Sequence, residues 1–303
     1  MTDTKSSSGG IRADAQSTSL DQDALMVALF PGWKPTSKAA DSGEQPVPES
    51  TKDVPAIPVG PAHLHIDRLP PNEEYIASED PEDLDFDPDP WSVVKLDDLH
   101  VVLITEAVAG WAAGASRYTL VGTYFFTNRD GVWRLSKHQD VAAWGISNQG
   151  TDLKVESWPT HGFVLSLTAG SGEQGANSFG VDMTLLTPDS VIHLLHASLW
   201  QSDAGSAASG GESDEAISCG DLESDTFKPP HGKLESGGID CHSAGGSWKF
   251  DGDLIRFAYG GVRRKVDSDG NVLPLERWTS AVTYKWENQS IKLIEGEDPQ
   301  FGY

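Results

Sequence analysis

Alternation of apolar and polar side chains over about the last two thirds of the chain constrains its fold most strongly. In GFVLSLTA, Phe163, Leu165 and Leu167 share one face while Ser166 and Thr168 share the other, and the same period returns at 181–185. A period of two, interrupted by Gly, Asn and Asp turns, is typical of antiparallel strands. We therefore predict an all-β fold, an antiparallel sheet meander or sandwich, over residues 91–303.

Hairpins are predicted wherever two such runs flank a short polar turn. TYFFTNRDGVWRLSK (123–137) places Tyr124 and Phe126 on one face, and Gly131 can take the positive φ that a tight turn requires. VDSDGNV and WENQSI predict two more turns of this kind. A further strand is predicted over 248–259.

The first 90 residues have a different composition and are predicted to lie outside the β domain. Residues 1–18 are small and polar, which predicts a disordered start. Ser19 and Gln22 have capping-box spacing and predict a short helix over 20–30, ended by a Pro-Gly pair. The remainder of 19–90 is acidic and rich in proline, so we expect an extended segment.

The formal charge of −24 limits the classes of partner that this chain can bind. Residues 1–90 alone carry 18 acidic and 6 basic side chains. Such a surface repels phosphate backbones and anionic lipid, so we expect no nucleic-acid partner and no membrane docking. No apolar run reaches 18 residues, so no membrane insertion is expected. The same charge speeds encounter with a basic protein.

Two cysteines, Cys219 and Cys241, lie in a polar stretch rich in glycine and serine. The stretch belongs to a long segment, about 201–247, that is predicted to be a flexible loop. In an oxidising compartment the cysteines can form a disulfide that closes a loop of about 22 residues. A pair of free thiols and a catalytic thiol are the alternatives.

No catalytic, cofactor or metal site is predicted. G-x-S-x-G does not occur in the sequence, and no G-x-G-x-x-G is predicted to open a helix. His193 and His196 are three residues apart, and in a regular strand this spacing places them on opposite faces, where they cannot share an ion. His63 and His65 share a face if extended, but the sequence offers no identifiable third ligand.

Four segments, spread over about residues 25–295, carry a resemblance to known proteins: LFPGW, VVKLDDLHVVLITEAV, GTYFFTNRDGVWRLSKHQD and WKFDGDLIRFAYGG. They resemble uncharacterised, β-rich, typically exported proteobacterial proteins, some of them similar to immunity proteins encoded beside type VI secretion effectors. The resemblance implies a toxin–antitoxin setting but carries no functional residue to this chain. MTDTKSSSGGIRADAQ contains no apolar stretch of a signal peptide. We expect a periplasmic location if an export signal was removed, and a cytoplasmic one otherwise.

These observations lead us to expect a non-enzymatic protein-binding protein, an immunity or inhibitor protein that neutralises a cognate, basic secreted toxin. The alternatives are a periplasmic or surface module that binds glycan on tryptophan platforms, and a hydrolase of unrecognised type. The expected contact comprises the acidic residues of 79–89 and of the 201–218 loop, with one tryptophan. Its residues are Glu79, Asp80, Glu82, Asp83, Asp85, Asp87, Asp89, Trp111, Glu212, Asp214 and Glu215.

Overall fold

The computed structural model describes residues 11–35, 64–66, 84–86, 88–108, 116–146, 151–173, 176–209, 217–229, 232–234 and 237–297. Their strands pair antiparallel and helix is scarce, which confirms the predicted all-β class. The strands are β1 (Gln16–Ser17), β2 (Leu64–Ile66), β3 (Leu84–Phe86), β4 (Asp89–Lys95), β5 (His100–Val108), β6 (Ser116–Arg129), β7 (Val132–Ile146), β8 (Thr151–Trp158), β9 (Gly162–Glu173), β10 (Ala176–Leu186), β11 (Val191–Ser202), β12 (Ala207–Ser209), β13 (Ile217–Ser218), β14 (Ile239–Asp251), β15 (Leu254–Val266), β16 (Glu276–Glu287) and β17 (Ser290–Glu295). The helices are α1 (Gln22–Leu29) and α2 (Cys219–Leu222).

The chain divides into two compact units, whereas the sequence predicted one β domain over 91–303. The first unit is Met1–Trp144 with Thr187–Val191, and the second is Gly145–Leu186 with Ile192–Tyr303. Alternation tells which face of a strand is apolar, but it does not tell which sheet the strand joins. No helix in the described part of the chain is long and apolar enough to cross a membrane.

The first unit contains a five-stranded sheet in the order β1-β7-β6-β5-β4. The predicted hairpin is confirmed as β6 and β7, and its turn has positive φ at Asp130 (55°) and Gly131 (80°). Asn128 Oδ1 accepts a hydrogen bond from the Gly131 amide at 3.0 Å, which holds the turn. Tyr124 and Phe126 are fully buried, so this hairpin is part of the core.

The predicted N-terminal helix is confirmed as α1, and it packs its Leu25, Met26 and Leu29 into the same core. Its N-cap is Asp21, where the capping-box spacing had indicated Ser19. The Asp21 carboxylate accepts hydrogen bonds from the amides of Asp23 and Ala24, which satisfies donors that the first helical turn leaves open.

The second unit is an eight-stranded meander in the order β17-β16-β15-β14-β11-β10-β9-β8. One face of this sheet carries an aromatic core that includes Trp158, Phe257 and Tyr259. The turn between β16 and β17 falls within WENQSI, as predicted, with positive φ at Asn288 and Gln289.

Two predicted segments of the second unit differ in the structure. The strand predicted over 248–259 is a hairpin, because Gly252 takes a positive φ of 58° and Asp251 pairs with Leu254. The loop predicted over about 201–247 is interrupted by α2, and strand structure resumes at the start of β14. In the first of these segments, Asp251-Gly252 is a strong turn signal, which the apolar residues on both sides of it had obscured.

Candidate functional site

The predicted partner contact falls almost entirely outside the described residues. Asp85 lies in β3, and the exposed Asp89 opens β4 opposite Glu106. The structure does not describe the other predicted contact residues, which are Glu79, Asp80, Glu82, Asp83, Asp87, Trp111, Glu212, Asp214 and Glu215. The acidic contact therefore stays a prediction.

Eight tryptophans have described side chains, and every one of them is buried or half-buried. Five of them contribute to the aromatic core of the second unit or pack against it. A sugar platform needs an exposed ring face, so the buried Trp33, Trp133 and Trp158 act as core rather than as binding surface. They are Trp33, Trp91, Trp133, Trp158, Trp200, Trp248, Trp278 and Trp286.

β17 forms one end of the eight-stranded sheet and exposes two large apolar side chains. Leu293 is 43% exposed and Ile294 is 50% exposed. Leu293 lies opposite Tyr284, and Ile294 follows where the register with β16 shifts, so two neighbouring positions of this edge are apolar. An edge strand also presents unpaired backbone donors and acceptors, which can pair with a strand of another chain.

A polar cluster lies beside a disulfide where β11 meets β14. Cys219 and Cys241 are joined in the structure, with their Cα atoms 5.2 Å apart. Next to Cys241, the Ser243 hydroxyl donates to Glu223 Oε2 at 2.6 Å and lies 2.8 Å from Ser202 Oγ. These contacts attach the segment that carries α2 to the β14 strand.

Asp203 holds the other side of this cluster. Its Oδ1 accepts a hydrogen bond from the His242 amide at 2.9 Å, and its Oδ2 lies 3.4 Å from His242 Nδ1. The Ser243 hydroxyl is directed at a carboxylate, and within the described residues the structure shows no hydrogen bond from it to His242. The cluster therefore does not have the serine–histidine pair that activates a serine nucleophile.

Two groups of the cluster have raised pKa values. Burial raises the pKa of the Glu223 carboxyl, the nearby charge of Asp203 raises it further, and the hydrogen bond from Ser243 acts in the opposite direction. The hydrogen bond with Asp203 raises the pKa of His242, against the effect of burial. Glu223 Oε1 is buried and has no hydrogen-bond partner among the residues that the structure describes, which also favours the neutral carboxyl.

We expect the stability of the second unit to depend on pH through Glu223. A raised folded-state pKa stabilises the fold fully below the unfolded pKa of about 4.5, and this contribution disappears as pH rises through the higher folded value. His242 acts with the same sign from its ordinary value of 6.5 upward. Glu223→Gln removes the pH dependence that Glu223 contributes. The free energy of unfolding of this variant, relative to that of the parent protein, should therefore rise with pH.

Urea unfolding midpoints between about pH 4 and pH 8 measure this effect. Glu297→Gln, the same change at an exposed carboxyl, is the control and should leave the pH profile of the parent protein unchanged. A difference between Glu223→Gln and the parent that stays constant over the whole range would contradict the assignment.

His193 and His196 lie on the same side of β11, so the expectation that they occupy opposite faces is wrong. Both are exposed, while Leu194 and Leu195 between them are both buried. Two successive buried residues break the period of two, as a β-bulge does. Both rings then approach Asp182 Oδ1 on β10, His196 Nδ1 at 3.1 Å and His193 Nε2 at 3.7 Å.

The two imidazoles determine the ionisation of Asp182. Burial opposes ionisation, but hydrogen bonds from His193 and His196 outweigh it and lower the pKa of Asp182 to about 2. The sequence contained one signal for this grouping, the adjacent apolar pair Leu194 and Leu195 within an otherwise alternating strand.

In comparisons with known proteins, no family model, no curated protein and no solved structure matches the chain.

Proposed function

We propose that this chain is a non-enzymatic protein-binding protein, specifically an immunity or inhibitor protein that neutralises a basic secreted toxin such as a type VI secretion effector. The observation that carries the proposal is the apolar edge strand β17 in a chain of net charge −24. The edge supplies a surface that can receive another chain, and the charge indicates the chemistry of that chain.

The mode of binding that fits β17 is addition of a strand from the partner. A strand paired beside β17 would take up its open backbone groups and cover the exposed Leu293 and Ile294. Leu293 lies opposite Tyr284, which is part of the aromatic core, so the added strand would extend an existing apolar surface.

Charge makes a basic partner the complementary one. Three exposed glutamates lie around β17: Glu287 at the end of β16, Glu295 at the end of β17, and Glu297 two residues later. Lys292 is the one cation within β17 itself. Acidic residues of 79–89 and 201–218 would add to the attraction in this proposal. Electrostatic steering of this kind raises the association rate and weakens as salt increases.

The disulfide supports an extracytoplasmic site of action. Disulfides persist in the periplasm and other oxidising compartments and are rare in the cytosol, where thiols are kept reduced. A bond between Cys219 and Cys241 thus favours the periplasm, where an immunity protein would meet an incoming toxin.

The test is binding of the purified product of the adjacent reading frame, first at low salt and then over a salt series. We expect the double variant Leu293→Lys/Ile294→Lys to bind about tenfold more weakly or worse, because it places two charges in the apolar contact. Val27→Lys is the matched control, since Val27 is 49% exposed on α1 of the other unit, and it should bind like the parent protein.

Absence of binding at low salt would overturn the proposal. Binding that is unaffected both by the edge variant and by salt would overturn the proposed contact and its electrostatic basis. Loss of binding in Val27→Lys as well as in the edge variant would show that the effect is not specific to β17.

A further inference from the structure

We propose that Arg264 binds the carboxylate of a small organic acid. Arg264 lies on β15 in the second unit and is only 7% exposed. Its Nε is buried and has no hydrogen-bond partner, and within the described part of the chain the structure shows no hydrogen bond or ion pair from the rest of its guanidinium. The inference does not depend on the protein-binding proposal, which rests on β17.

A buried guanidinium without a partner is unusual in a folded protein. Removing a charge from water is costly unless a partner of opposite charge and hydrogen bonds replace the lost hydration, so arginine is almost never fully buried unless it is paired. The chain contains 46 acidic and 22 basic residues, so its composition does not make carboxylates scarce. An unpaired Arg264 in such a chain therefore indicates a place for an anion that comes from outside it.

The lack of a partner is specific to Arg264, because two other arginines of the same part of the sheet are paired. Arg263 Nε donates to Asp240 Oδ1 on β14 at 2.6 Å. Arg277, on β16, donates to Asp225 Oδ2 at 2.5 Å. The side chains of Arg263 and Arg277 are 44% and 62% exposed. The exposed arginines thus have carboxylate partners, while the buried one has none among the described residues.

An anion can approach Arg264 where the pairing of β15 with β16 stops. The two strands pair as far as Arg263 opposite Glu276. One residue further along β15, Arg264 is in register with the segment 274–275, which belongs to no strand. Pro274 is exposed and has no amide hydrogen to donate to a neighbouring strand. Solvent therefore lies next to this interruption of the sheet.

The other neighbours of Arg264 are apolar and determine the kind of anion that fits. Cys241 lies opposite Arg264 on β14, so the two side chains share a face of the sheet. Val266, two residues along β15, points to the same face. Cys241 and Val266 belong to one apolar cluster with Leu222 and Leu234. One guanidinium balances one negative charge, and apolar side chains cannot compensate a second.

These surroundings favour a monocarboxylate with an apolar substituent over a phosphate. Guanidinium and carboxylate match in a bidentate pair, with two parallel N–H···O bonds. A carboxylate placed side-on takes one hydrogen from Nε and one from a terminal nitrogen, which gives the buried Nε of Arg264 its missing partner. The substituent can then pack against the apolar cluster.

The test uses the full chain labelled with ¹⁵N and follows the Nε–H signals of its arginines by NMR. Acetate, propionate, butyrate or inorganic phosphate is added at an ionic strength held constant with sodium chloride. We expect one signal, the one missing from the spectrum of Arg264→Lys, to shift saturably with the carboxylates. Affinity should rise about two- to fourfold with each added methylene, because each one removes further apolar surface from water. Phosphate should bind more weakly than butyrate.

Variants of Arg264 provide a second readout through thermal unfolding. Butyrate should raise the Tm of the parent protein, since a ligand that binds only the folded state stabilises it. Arg264→Gln should lower the affinity for butyrate at least about tenfold and abolish this rise. Arg264→Met, which keeps an unbranched side chain without the charge, replaces the glutamine variant if that variant misfolds. The matched control is Arg263→Gln at the exposed neighbour, which should bind butyrate like the parent protein.

Three results would overturn the proposal. The first is that none of the anions shifts the Arg264 signal saturably, because the guanidinium would then be satisfied by water alone. The second is stabilisation by butyrate that survives in both Arg264→Gln and Arg264→Met, which would place the ligand elsewhere. The third is saturable binding of phosphate without binding of the carboxylates, which would show that the class of anion is wrong.

Discussion

Replacing Trp158 by alanine is expected to destabilise the second unit by about 3–5 kcal/mol, since the change opens a large cavity in the core. Trp158 is fully buried at the end of β8, with its ring stacked on Phe250 at 5.1 Å. The ring of His161 meets the Trp158 ring edge-on at 4.5 Å. The indole Nε1 of Trp158 donates a hydrogen bond to the carbonyl of Gly252 in the β14–β15 turn. One side chain thus joins two hairpin ends of the sheet.

The measurement is thermal or urea unfolding followed by far-ultraviolet circular dichroism. For a unit of this size the loss corresponds to a decrease in Tm of roughly 6–20 °C. Trp158→Phe keeps most of the apolar volume and should cost only about 1–2 kcal/mol, because Thr160 Oγ1 still donates to the Gly252 carbonyl. Equal effects of the alanine and phenylalanine variants would contradict a role for the ring in filling the core.

Most of the local structure of this chain could be predicted because each signal depends on nearby residues. The turn at Asp130 and Gly131 follows from its own four residues and from the apolar alternation on either side. Helix α1 was predicted for the same reason, although Asp21 rather than Ser19 caps it. Both Asp and Ser accept hydrogen bonds from free helical amides, so spacing alone could not choose between two candidates two residues apart.

The features that sequence reasoning missed depend on contacts between segments that are distant in the sequence. The two successive buried residues Leu194 and Leu195 matter only because the histidines on either side of them both approach Asp182 on another strand. The cluster around Glu223 brings together residues from β11, the C-cap of α2 and β14, which no local pattern connects. The division into two units likewise depends on which strands pair, and alternation is silent on pairing.

Removing the disulfide is the second change with a large expected effect. In the chain-entropy description, a bond across 22 residues stabilises the fold by about 3 kcal/mol, because it restricts the unfolded chain. Cys219 and Cys241 are also buried with Leu222, Leu234 and Val266 in a small apolar cluster, so the two sulfur atoms contribute packing as well.

We expect Cys219→Ala/Cys241→Ala to lower the free energy of unfolding by about 2–5 kcal/mol, and reduction of the parent protein to have a similar effect. Hydrogen exchange should show the loss most clearly at Leu222 and Leu234, because the bond attaches their segment to β14. Lys228→Gln is the matched control: it changes an exposed side chain of the same segment and leaves its attachment to β14 in place, so it should not increase exchange there. An unchanged urea midpoint in the double variant would contradict this prediction, because the disulfide would then add nothing to stability. The hydrogen bonds of Ser202, Ser243 and Glu223 would in that case be sufficient to hold the segment.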